Sequence, residues 1–247
     1  MAMKNQVKPG YGRLGNFRFQ ILIWMIALLA VAGTPMRAAD PTALELLQNV
    51  RLGQGAQHRI LSGQLRVQDK VTPFQLVLNG NEIRYEFTKP DQTFVLKLEE
   101  NTSRLDEITK DGTGRVTSAR FAEPLRGTDV TCEDLALRFL YWQEAKIIGE
   151  DSIGPVKYYK IELHPDPGSG SQYGKVVAWV AKKYDGVLGR AECYSPDGKL
   201  AAVFRVISAQ SLKDGTRFLK TMTIERMKDG KSSGKDPTEL KILDEAK

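Results

Sequence analysis

The chain has 247 residues, 41% of them apolar and 27% charged, with two cysteines and two histidines, a composition that excludes collagen-like, low-complexity and disulfide-scaffold classes. Its formal charge of +6 owes most to the first 39 residues, where Lys4, Lys8, Arg13, Arg18 and Arg37 stand without a single acid. The remainder is close to neutral, which removes the main support for a nucleic-acid partner.

The basic opening leads into an apolar run from Ile21 to Gly33, as long as the apolar core of a signal peptide and short for a bilayer span. Residues 1–39 read as an export signal, or as an N-terminal anchor to the inner membrane if they are retained. Ala30-Val31-Ala32 fits a small-x-small cleavage site, whereas a cut after Ala39 would leave Arg37 at an unfavourable position. Export implies an oxidising compartment, in which Cys132 and Cys193 either pair or remain two buried thiols. The place of Cys132 on an apolar helix stripe favours the second.

Residues 40–247 read as a single domain. Pro41 to Arg51 forms a short amphipathic helix, with Asp40 as N-cap and Pro41 at the first helical position. Period-two alternation follows: Leu65 and Val67; Phe74, Leu76 and Leu78; Ile83, Tyr85 and Phe87; Phe94, Leu96 and Leu98, each set separated by polar residues. These are half-buried antiparallel strands. Asn79-Gly80, Asp111-Gly112, Asp185-Gly186, Asp197-Gly198, Asp214-Gly215 and Asp229-Gly230 are dipeptides that tight hairpins favour.

One interior helix interrupts the strands. Thr131 and Asp134 have capping-box spacing, and Cys132, Leu135, Ala136, Phe139 and Leu140 recur as one apolar stripe, so the helix starts near Thr131 and runs towards Trp142. It either plugs a core or lids a cavity. Strands resume over 156–163, 175–183, 187–194, 200–209 and 217–227, with 240–243 as an edge strand, giving roughly eleven. A sheet of that size curls or closes, which limits exposed edges.

No catalytic or cofactor constellation appears. His58 and His164 stand far apart with no Cys-x-x-Cys to accompany them, which leaves no metal site. The glycines of 168–174 lack the strand-helix context and the Lys of a phosphate loop. Glu99 and Glu100 point to opposite faces of a strand and cannot act as a dyad. What remains is a set of aromatic and apolar strand positions that either fill a core or line the interior of a curved sheet.

Several stretches resemble the outer-membrane lipoprotein-sorting protein family, relatives of the periplasmic lipoprotein carrier LolA: Tyr85-Glu86-Phe87-Thr88-Lys89-Pro90-Asp91, the Leu125-Arg126-Gly127-Thr128-Asp129 approach to Glu133-Asp134-Leu135, the Tyr173-Gly174 strand entry, Trp179, and Glu192-Cys193-Tyr194 leading to Asp197-Gly198-Lys199. The resemblance covers roughly residues 41–245. It implies a mainly β protein, an incomplete antiparallel β-barrel with a helical lid, that carries the acyl chains of lipoproteins or another lipid through the periplasm as a monomer, without cofactor or enzymatic activity, meeting inner- and outer-membrane sorting machinery. The other reading is a sensor or scaffold of the same fold. The implied cavity wall comprises Leu76, Tyr85, Phe87, Phe94, Leu96, Tyr159, Trp179 and Phe204, and the implied lid Phe139, Leu140 and Trp142. No arginine in the sequence matches the one with which the best-known carriers hold a closed lid.

Overall fold

The structure, a computed structural model, describes residues 40–55, 58–183, 187–211, 217–232 and 234–245. The proposed export signal and the turns expected at Asp185-Gly186 and Asp214-Gly215 lie outside these residues.

Helix α1 spans Ala43–Gly55. Its cap is Thr42 rather than Asp40. The Thr42 hydroxyl accepts from the Glu45 amide at 3.2 Å while Glu45 Oε2 accepts from the Thr42 amide at 2.7 Å. This reciprocal pair satisfies two free amides at once, and a lone Asp40 does not match it. Ala43, Leu46, Leu47 and Val50 form the buried side of the helix.

Six strands follow as a meander: β1 (His58–Val67), β2 (Lys70–Asn79), β3 (Glu82–Thr88), β4 (Asp91–Leu98), β5 (Ser103–Thr109) and β6 (Gly112–Arg115). After residues 116–143 come β7 (Glu144–Ile153), β8 (Val156–His164), β9 (Lys175–Ala181), β10 (Leu188–Tyr194), β11 (Leu200–Ser211), β12 (Arg217–Lys228), β13 (Lys231–Ser232) and β14 (Thr238–Glu245). All pairings among the described strands are antiparallel. Their order is β6-β5-β4-β3-β2-β1-β14-β12-β11-β10-β9-β8-β7, with β13 paired to β12 off this path. The sheet is open, not closed into a barrel, since β6 and β7 have no mutual pairing.

Two expectations about strands need correction. The last strand is not an edge. β14 lies between β1 and β12, where Leu240 faces both Leu65 and Met222, because its inward residues Leu240 and Ile242 are apolar and need cover on both flanks. The strands also outnumber eleven. β5, β6, β7 and β13 escaped notice: charged residues interrupt the alternation of β5 and β7, as in Ser103–Thr109, where Glu107 occupies an inward position opposite Phe94, and β6 and β13 are only four and two residues long.

One face of the sheet carries a continuous apolar cluster that includes Leu61, Phe74, Phe94, Ile161, Ala178, Phe204 and Ile242. A close approach accompanies the register irregularity of β1 with β14 between Leu61 and Gly63. Gly63 pairs with Phe74, and a Cβ on Gly63 would stand 2.4 Å from the Phe74 ring, so only glycine lets the ring lie flat across β1.

Residues 116–143 leave the sheet at edge strand β6 and rejoin it at the opposite edge, β7. The expected continuous helix is broken within this crossover. Helix α2 is a single turn, Cys132–Leu135; Leu137 takes a left-handed φ of 45°; and a 3-10 turn follows over Arg138–Tyr141. The capping box of Thr131 and Asp134 forms as read. One turn without further propagation is marginal by itself, and burial of the stripe residues against the sheet decides the path instead. Cys132, Leu135, Ala136, Phe139 and Leu140 are all buried, but from two short turns rather than one helix.

Candidate ligand-binding site

The inward face differs between the two halves of the sheet. In β2 to β4 the register places Phe74 opposite Phe87, Leu76 opposite Tyr85, and Tyr85 opposite Phe94. The rings touch in series, Phe74 to Phe87 at 5.5 Å and Phe87 to Phe94 at 6.4 Å between centroids. In β8 to β11 the corresponding row is Ile161, Ala178, Ala191 and Phe204. Small residues there leave depth over the sheet, and the crossover fills it: Phe139 meets Phe204 edge-on at 6.1 Å. Leu140 is fully buried, with Trp142 and Tyr141 beside it in the same cluster. Leu76, Tyr85, Phe87, Phe94, Leu96, Phe139, Leu140, Trp142, Tyr159 and Phe204 therefore all belong to, or pack against, one apolar body between sheet and crossover. Burial pushes the Tyr85 hydroxyl up to about 12, although its side chain is only half-buried.

Two polar attachments hold the crossover down. On the aromatic side, the Arg126 guanidinium lies 4.9 Å from the centre of the Phe87 ring and donates to the Pro90 carbonyl at 2.7 Å, while Lys70 donates to the Arg126 carbonyl at 3.0 Å. On the other side, Arg226 of β12 donates to the Asp129 carbonyl at 2.8 Å, to the Tyr173 hydroxyl at 2.7 Å and to the Asp134 carboxylate. Tyr173 donates to the other oxygen of Asp134 at 2.6 Å. Burial, with Asp134 adding to it, holds the Tyr173 hydroxyl protonated well above its usual range. Gln172 donates to Thr131 at 2.8 Å, and its amide donates to Glu133 at 2.9 Å. Glu133 is less well served. Its Oε1 has no hydrogen-bond partner, Arg138 stands 3.7 Å away, and burial raises its carboxyl above the ordinary value.

Cys132 and Cys193 are free, buried thiols. Among the described residues, no three His, Cys, Asp or Glu side chains gather as metal ligands, and no helix is long and apolar enough to cross a membrane.

The fold has relatives among solved structures. An outer membrane lipoprotein-sorting protein domain from Vibrio parahaemolyticus superposes with a TM-score of 0.65 at 15% identity, covering 82% of this chain and 90% of that one. A DUF1329 family protein from Desulfovibrio piger gives 0.64 at 16% identity, covering 81% and 90%. A LolA superfamily protein from Nitrosomonas europaea gives 0.61 at 19% identity, covering 83% and 93%. No curated protein matches the sequence. A family model described as "-like: Uncharacterized protein" matches residues 110–244, more than half of the chain. The chain belongs to the family of that model and has the LolA-like fold.

Within this LolA-like fold, Trp179 stands apart from the other implied wall residues. Val176, Ala178 and Val180 of β9 face the apolar body, so Trp179 is on the opposite face. There its indole donates to Asp151 at 2.9 Å, with Lys160 and Arg190 about 5 Å from its ring. A shallow cleft of about 190 Å³ at the ends of β8 to β11, lined by Tyr158, Leu188, Gly189 and Ile207 among others, includes none of the implied wall or lid residues.

Arg226 escaped the sequence reading. Its signal lies in the series Met222, Ile224, Arg226 on β12, a period-two row whose third member is charged although it faces inward. The register row Leu163, Val176, Cys193, Ala202 ends on it. An inward charge at the end of an apolar row calls for a partner from the covering layer, and Asp134 is that partner.

Proposed function

We propose that this LolA-like protein is a carrier in the cell envelope that shelters acyl chains of lipoproteins, or of another lipid, between the inward face of its sheet and the crossover 116–143, and delivers them to the outer membrane. One observation supports the reading above others: the crossover spans the sheet from edge to edge and is fixed at both sides through side-chain contacts centred on Arg126 and Arg226, with an isolated backbone bridge from Pro124 to Thr131 as its own internal pairing. Such a layer can lift without unzipping the sheet.

Energetics favour an exchange. Lifting the turns that carry Leu135, Phe139 and Leu140 exposes three large side chains, roughly 6 kcal/mol of lost burial. A sixteen-carbon chain entering in their place recovers about 0.8 kcal/mol per methylene, roughly 12 kcal/mol. The two are of the same order, so loading and release are both accessible, as a carrier requires. The aromatic side, from Phe74 to Phe94, forms the fixed wall, and Phe139 occupies the volume that the acyl chain takes over.

Mass spectrometry of lipid extracted from the mature protein, together with uptake of a fluorescent acylated peptide by delipidated protein, tests this. Acyl lipid in the extract and saturable uptake are the expected results. Protein that emerges without lipid and takes up neither acylated peptide nor free acyl chains overturns the reading.

A further inference from the structure

The buried end of the crossover carries hydrogen-bond donors with nothing to donate to. Tyr141 is 5% exposed and Trp142 3%, yet neither the Tyr141 hydroxyl nor the Trp142 indole N–H has a partner. The guanidinium of Arg51, from α1, lies 5.2 Å from the Tyr141 ring centre, and its Nε is likewise buried without an acceptor. Arg51 is held there through Nη1, which donates to the Glu100 carbonyl at 2.9 Å. Burial pushes the Tyr141 hydroxyl up to about 12 even though the Arg51 charge pulls it down, so the hydroxyl keeps its proton. Three donors of unmet valence, one of them cationic, adjoin the same apolar body that Phe139 and Leu140 occupy. Leaving such groups unpaired costs stability, and an acceptor brought by a ligand relieves that cost.

We propose that Arg51, Tyr141 and Trp142 form a polar subsite that receives the acyl oxygen of the ligand, a carboxylate or an ester carbonyl, and so fixes which end of the chain lies towards α1. The inference rests on the carrier reading and adds selectivity to it. A hydrocarbon tail satisfies none of these donors, a neutral ester accepts from the hydroxyl and indole, and a carboxylate also meets the Arg51 charge. The same oxygen chemistry arises from a free fatty acid and from an acyl ester of a lipoprotein or glycerolipid, and two probes tell these apart.

The test compares palmitate, methyl palmitate and hexadecane as competitors of a fluorescent acyl probe, on the mature wild-type protein and on Tyr141→Phe and Arg51→Met. Wild type is expected to prefer palmitate to hexadecane by on the order of tenfold or more, consistent with a hydrogen bond to a charged group. Arg51→Met should lower palmitate affinity and leave methyl palmitate little changed if the natural ligand is a free acid; Tyr141→Phe should weaken both oxygenated probes. Hexadecane should bind all three proteins alike. Thermal denaturation separates this from a structural role, because Phe in place of an unpaired hydroxyl should leave the melting temperature of the empty protein equal or higher. If Tyr141→Phe lowers that temperature and leaves the palmitate-to-hexadecane ratio unchanged, the donors hold a structural water only and the subsite is refuted. If hexadecane and palmitate both fail to bind wild type, the carrier reading itself falls; if both bind with equal affinity, only the subsite does.

Discussion

Arg226 and Asp134 are 92 positions apart in the chain, and their ion pair ties the helical turn of the crossover to the inward face of β12. The Asp134 side chain is 1% exposed. One of its oxygens both caps α2 through the Thr131 amide at 2.9 Å and meets Arg226, and the other accepts from Tyr173. The N-cap of a one-turn helix and the attachment of the whole covering layer therefore share a carboxylate.

Removing the cation leaves that carboxylate buried and short of charge compensation. Arg226→Met is expected to destabilise the protein by about 3–5 kcal/mol, the usual consequence of breaking a buried pair from one side. Arg226→Met combined with Asp134→Asn should recover part of this loss. Urea denaturation measures both, and the single variant should also take up acyl probe faster because its covering layer is less firmly held.

Glu133 makes stability depend on pH. Burial raises its folded carboxyl above the ordinary 4.5, so the folded state binds the proton more tightly than the unfolded chain does. Its contribution is most favourable below pH 4.5 and is lost as pH rises through the raised folded value. Glu133→Gln imitates the protonated form. The stability of this variant relative to wild type should therefore grow from pH 4.5 upwards and then level off, as read by denaturant midpoints across the series. A difference that does not vary with pH would show that the Glu133 carboxyl is not raised.

Phe139→Ala empties space beside the Phe204 ring. A loss of about 3–5 kcal/mol is expected, and hexadecane should restore part of it by filling the vacancy. Gly63→Ala acts by the opposite route, because its new methyl collides with the Phe74 ring, and about 1–3 kcal/mol of overpacking strain is expected without any ligand rescue. Thermal shifts with and without hexadecane distinguish the two.

Burial raises the Cys132 thiol to about 11 and holds Cys193 well above its usual range. Both thiols should resist a thiol reagent in the folded protein at pH 8 and react fully in denaturant. A reductant should leave the melting temperature unchanged.

Trp142, within the crossover, and Trp179, beside Asp151, lie on opposite sides of the large sheet. Acyl ligand should alter the fluorescence of wild type and of Trp179→Phe equally, and that of Trp142→Phe much less. Equal responses from both variants would count against ligand entry beneath the crossover.

What the sequence determined is what depends on neighbouring residues. Alternation set β1 to β4 and the inward identity of Tyr85, Phe87 and Phe94; the spacing of Thr131 and Asp134 set the cap of α2; the stripe through Phe139 and Leu140 marked a surface that needed covering. Only the tertiary structure decided the rest, because it depends on partners distant in the chain. Leu240 and Ile242 could have belonged to an edge strand until β1 and β12 flanked them. Trp179 changed face through the register of β9, and one residue of offset is enough to invert a side chain. Arg226 gained its role only when Asp134, 92 positions earlier, arrived over the same patch of sheet. Local periodicity fixes which way a residue points along its own strand. Which element waits on that side is fixed by the folding of the whole sheet.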